Sequence, residues 1–100
     1  MNGKPVTVVA QIKAKQGAEE QVRKELLALV APSRMDRGCQ GYDLHQGEGM
    51  PGLFMFYENW ASHELLEEHL QKPELQSALG RLSALSSEPP RITLWEKIGI

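Results

Sequence analysis

The chain has 100 residues, one cysteine, and a formal net charge of −2 from 11 Lys+Arg against 13 Asp+Glu. That length suits one domain, residues 1–100, and the charge balance offers no basic surplus for a phosphate backbone, so nucleic acid is not an expected partner. A single cysteine excludes an intramolecular disulfide and a four-cysteine zinc knot. Hydrophobic residues at 41% and charged residues at 24% are globular proportions, which argue against disorder. No apolar run approaches the roughly 18 residues of a membrane span, so no membrane partner is expected. Met1-Asn2-Gly3-Lys4-Pro5 has no apolar signal core, and a cytoplasmic location is the expectation. So small a chain has little room for a deep pocket of its own, and a site shared between subunits is easier to build.

In chain order, Val6, Val8, Ala10, Ile12 and Ala14 alternate with Thr7, Val9, Gln11 and Lys13, which is a strand with one buried face. Gly17 breaks the pattern. Val22, Leu26, Leu29 and Val30 then form one helical stripe, with Glu19 and Glu20 early, where the helix dipole favours acids. Pro32 is expected to end or kink this helix. Asp36-Arg37-Gly38 reads as a turn and Cys39–Gln46 as a weaker strand. Gly47–Gly52 reads as a loop and Leu53–Trp60 as the strongest strand, so the two strands make a β-hairpin. Ser62 is placed to cap a second helix that begins at Leu65 and Leu66 and is interrupted by Pro73. Leu75, Ala78, Leu79, Leu82 and Leu85 continue a helical stripe, and Ile92–Ile98 alternates as a last strand.

The order β-α-β-β-α-β predicts an α+β, ferredoxin-like fold: an antiparallel sheet with both helices on one face. In the strongest strand Leu53, Met55, Tyr57 and Asn59 point one way, and Phe54, Phe56, Glu58 and Trp60 the other. Both sides are largely apolar, yet helices cover only one. A second copy of the chain, sheet facing sheet, would cover the other, which predicts a homodimer.

Gly47-Glu48-Gly49-Met50-Pro51-Gly52 matches GxGxxG by letters, but a dinucleotide site needs a strand before it and a helix after it. Here a strand follows, so a turn is the better reading. His69 falls on or beside the buried stripe of the second helix. It suits a general acid or base, and equally a hydrogen-bonded core histidine. Glu58 shares a face with Phe54, Phe56 and Trp60. Burial there calls either for a raised pKa or for an ion pair with Arg34, Arg37 or Arg91. Trp60 either stacks on a planar ligand or fills the core. Tyr42 and His45 fall on opposite faces of their strand. Cys39 has no redox context and reads as a small buried residue. His45, His63 and His69 show no metal-ligand spacing, so no metal site is expected.

Gly38-Cys39-x-x-Tyr42, then Phe56-x-Glu58-x-Trp60-x-Ser62, then Leu66-x-x-His69, in that order, resembles the antibiotic biosynthesis monooxygenase domain. The resemblance implies a dimeric α+β barrel. It implies oxidation of a small phenolic or quinol-type aromatic by O2, without metal, flavin or nicotinamide, so no cofactor is expected. On that basis His69 would accept the substrate proton and Asn59 would steady an oxyanion. Tyr42, Trp60, Glu58 and Phe56 would shape and line the substrate pocket. Relatives of the fold imply alternatives: a non-oxidative isomerase using His69 or Glu58, or a protein that binds or degrades heme with His69 as the iron ligand. Residues 6–14 lack the first-strand asparagine of heme-degrading members, with Gln11 the nearest amide.

Overall fold

The structure, a computed structural model, describes residues 3–99. Met1 and Asn2, part of the leader segment considered above, lie outside the described residues. Seven elements follow one another: β1 (Val6–Lys13), α1 (Glu19–Arg34), β2 (Cys39–Gly47), β3 (Met50–Trp60), α2 (His63–Leu70), α3 (Pro73–Leu85) and β4 (Arg91–Trp95). The four strands form one sheet in the order β2-β3-β1-β4, and every neighbouring pair is antiparallel. The expected α+β, ferredoxin-like arrangement is therefore present, with α2 and α3 together filling the second helical position.

The core lies between the sheet and the helices. Register sets which side chains meet there. Val6 pairs with Trp60, Val8 with Glu58, Ala10 with Phe56, and Ile12 with Phe54. Because successive strand residues point to opposite faces, all eight of these side chains share the helix-covered face. Val22 and Leu26 of α1, Leu66 of α2 and Leu82 of α3 pack onto them, and Leu75 and Ala78 of α3 are buried as well. The opposite face carries Val9, Leu53, Met55 and Tyr57 in an apolar band, with exposed Trp95 beside Thr7. Gln11, Lys13, Arg91, Asp43 and His45 border it, so this face is mixed rather than uniformly apolar.

Several boundaries differ from expectation. Pro32 does not end α1, which continues to Arg34. Proline forgoes the one bond that its N–H would make to the Ala28 carbonyl, but its fixed φ is close to the helical value, and the helix runs two residues past it. Gly47–Gly52 is not an open loop. β2 runs to Gly47 and β3 starts at Met50, leaving a tight turn at Glu48-Gly49 with Gly49 at φ +71°. Pro73 interrupts the second helical stretch as expected: α2 ends at Leu70 and Pro73 is the first residue of α3, where its missing N–H costs no helical bond. The last strand stops at Trp95, and Ile98 is exposed. Ser62 caps α2 as expected: its Oγ accepts the Leu65 amide at 3.2 Å.

Candidate active site

A cavity of about 560 Å3 opens between the sheet and the helices. Its floor is Val8, Ala10 and Ile12 of β1 with Phe56 and Glu58 of β3. Its walls are Leu26 and Leu29 of α1, Leu66 and His69 of α2, and Leu75 and Leu82 of α3, with Tyr42 of β2 at one end. Exposed Ile92 and Leu94 of β4 and His63 and Glu67 of α2 border the open side. The volume is that of an ordinary small-molecule site. No Lys or Arg among the described residues lines it.

Three titratable side chains sit in this apolar wall, and each is buried: Tyr42, Glu58 and His69. Glu58 does not pair with Arg34, Arg37 or Arg91. Arg34 bonds Asp43, Arg37 bonds Glu68, and the Glu58 Oε1 instead accepts the Trp60 indole N–H at 2.9 Å. Burial pushes the Glu58 carboxyl up to about 7, only partly offset by that hydrogen bond. Burial likewise raises the Tyr42 phenol, and the neighbouring Glu58 charge adds to the effect. Tyr42 packs against Phe56 with ring centroids 4.8 Å apart and meets His69 edge-on at 5.7 Å.

His69 is held from behind. Its ring stacks on Trp60 at a centroid distance of 4.5 Å. Its Nδ1 lies 2.6 Å from the Asp36 Oδ2, and the Lys72 Nζ donates to the other Asp36 oxygen at 2.9 Å. Burial by itself would raise the Asp36 carboxyl, but the His69 and Lys72 hydrogen bonds and the Lys72 charge outweigh it and hold the group below the usual carboxylate range. Among the described residues no group bonds the other ring nitrogen, Nε2, and the ring lines the cavity.

The structure thus brings together Tyr42, Phe56, Glu58 and His69 around one void. Trp60 is different: it is fully buried behind His69 and Glu58 and does not line the cavity, so it supports the wall rather than touching what fills it. Asn59 departs further. As the neighbour of Trp60 in an extended strand it points through the other face of the sheet, where its Oδ1 accepts the Thr7 hydroxyl at 2.6 Å. It cannot reach an oxyanion in this cavity. His45 is exposed on β2. Cys39 is half-buried, and burial raises its thiol pKa, which disfavours a thiolate. Asp36 and Lys72 were not visible as site residues in the sequence. Asp36 stands 33 residues from His69 in a turn, and no local pattern signals the pairing.

The fold is a ferredoxin-like α+β domain, and an apolar cavity with Tyr42, Glu58 and His69 on its wall lies between its sheet and its helices. The sequence model of the family "Antibiotic biosynthesis monooxygenase" matches residues 5–81, and the chain belongs to that family. It is similar to Rv0793 of Mycobacterium tuberculosis, at 28% identity over 90 residues covering 90% of this chain and 88% of that protein. The Rv0793 structure superposes with a TM-score of 0.91 over 97% of this chain and 98% of that one, at 26% identity. PA3566 of Pseudomonas aeruginosa superposes with a TM-score of 0.91 at 33% identity over 99% of each chain. The protein sll1783 of Synechocystis is 26% identical over 92% of this chain, which spans 63% of that relative's length. No helix among the described residues is long and apolar enough to cross a membrane.

Proposed function

We propose that the chain is a cofactor-independent monooxygenase that oxidises a small, uncharged phenolic or quinol-type aromatic with O2. The observation that carries this reading is the cavity: an apolar void in a member of this family, with a histidine nitrogen and a carboxyl group on its wall. An apolar wall without Lys or Arg suits a neutral ring system and disfavours a carboxylate or phosphate ester, whose charge would enter unpaired. His69 accepts the proton of the bound substrate at Nε2. The electron-rich anion that results delivers its electrons to O2. At an activated ring CH2, one oxygen atom ends as the new carbonyl and the other leaves as water with both hydrogens. Tyr42 and the Glu58 carboxyl, whose protonated form burial favours, supply hydrogen-bond donors to the substrate oxygen. Phe56 and the leucines exclude water, which strengthens each of these contacts.

The same chain would act as a homodimer, with the apolar band of Val9, Leu53, Met55 and Tyr57 covered by a second copy.

Oxygen uptake with a panel of quinols and anthrone-like phenols tests the activity. Substrate-dependent O2 consumption is expected, and His69→Ala should lower kcat by about 100-fold or more. Unchanged turnover in that variant removes His69 as the proton acceptor. A second reading, a non-oxidative isomerase, is favoured by one observation: Glu58 and His69 both line the cavity and could pass a proton between two carbons. Product formation under nitrogen selects it over the first.

A further inference from the structure

Among the described residues, His69 is the one polar side chain that borders both the cavity and a second space behind it. This groove, of about 430 Å3, lies between the C-terminal half of α1 and the α2–α3 junction. Its lining mixes apolar side chains with the charged groups of Glu25, Asp36, Lys72, Glu74 and Arg81. Asp36 reaches from the groove side to the His69 Nδ1, and Lys72 grips the other Asp36 oxygen. An ionised carboxylate can only accept hydrogen bonds, so Nδ1 must be the donor. In a neutral imidazole that leaves Nε2 as the bare nitrogen. The ring that carries Nε2 lines the cavity, while Nδ1 is engaged by Asp36.

The geometry points to Asp36 as a positioning residue: it holds the proton of neutral His69 on Nδ1 and keeps Nε2 free to take a proton from whatever fills the cavity, while Lys72 fixes the orientation of Asp36. The assignment rests on the reading of His69 as proton acceptor. When Nε2 takes the proton, the imidazolium sits against the Asp36 carboxylate, which stays ionised and offsets the new charge. The proton returns from Nε2 to the oxygen that leaves as water. The side chains of both partners are nearly enclosed, Asp36 at 12% exposure and His69 at 4%, so the pair is shielded from competing water.

Asp36→Asn separates this role from a merely structural one. Lys72 would hold the amide oxygen, turning the amide NH2 toward Nδ1. A donor facing Nδ1 drives the ring proton to Nε2, the wrong nitrogen for accepting a proton. Nitrogen-15 NMR of labelled histidine in the full chain, above the histidine titration, reads this directly. The expected wild-type state is protonated Nδ1 and bare Nε2, and the expected Asp36→Asn state is the reverse, with kcat down by about 100-fold and KM little changed. Adding Lys72→Met releases the amide to present its oxygen, and should restore the wild-type tautomer and part of kcat. The proposal is overturned by wild-type His69 carrying its proton on Nε2, which needs no variant to fold. It is overturned as well by Asp36→Asn keeping the wild-type tautomer, or reversing it with kcat unchanged. If wild-type protein turns over no phenol, the proposed function fails, while the tautomer measurement still decides the role of Asp36.

Discussion

Glu58 sits at the cavity floor with an indole N–H for a partner and no cation, so its charged form is disfavoured in the folded chain. Its pKa rises from an ordinary 4.5 to about 7 on folding. Between those values the folded state binds more protons than the unfolded one, so stability falls as pH rises from about 4.5 to about 7 and then levels off. At about 1.4 kcal/mol per pH unit the total loss is of order 3 kcal/mol. Urea unfolding across that range should show this slope in the wild type. Glu58→Gln, which keeps an acceptor for the Trp60 indole, should flatten it and be the more stable protein at pH 8; an equal slope in both would show that Glu58 is not the titrating group. At this scale the sequence revealed the face of each strand residue through alternation. The same alternation separates Asn59 from Trp60, and it keeps Asn59 out of the cavity. The Asp36–His69 contact was not legible, because it joins a turn to a helix through tertiary packing alone.

Element boundaries follow from a few residues with special backbones. Gly38 ends the turn after α1 at φ +85°, and a Cβ placed there would lie 2.5 Å from the Leu65 Cδ1 of α2. Its carbonyl accepts the Ala61 amide at 2.8 Å, tying the start of β2 to the start of α2. Gly38→Ala should therefore destabilise by about 2–4 kcal/mol, from the left-handed backbone and the clash together. A midpoint within experimental error of the wild type in urea would refute this. Loss of the α2 cap in Ser62→Ala should cost about 1 kcal/mol, measured the same way. Helix stripes and strand alternation were readable because each reports burial of one face. The place of Pro32 inside α1 was not. A proline marks a helix end only by its position within the turn, and a shift of a few residues changes it from breaker to first residue.

For the whole molecule, the uncovered sheet face is what the proposed dimer would bury. Tyr57 and Trp95 are 43% and 57% exposed, beside half-buried Val9, Leu53 and Met55. Light scattering at micromolar concentration should give about twice the 11.2 kDa chain mass. Tyr57→Glu, which would face Asp43 across the β2–β3 pair, should shift the population toward the single-chain mass. A wild-type monomer would refute the sheet-to-sheet dimer.

Length and charge led to the expectation of one domain, and a lone cysteine excluded an intramolecular disulfide. Hydrophobic periodicity determined the order of strands and helices, because each element must bury one face whatever the rest of the chain does. Those patterns are local. The cavity is not: Tyr42, Glu58 and His69 come from β2, β3 and α2, and only the sheet order brings them around one void. The tertiary structure alone decided that Trp60 stands behind the wall, and that Asp36 and Lys72 hold His69 from the far side. Each of those depends on a distance between residues far apart in the chain, which no spacing along it encodes.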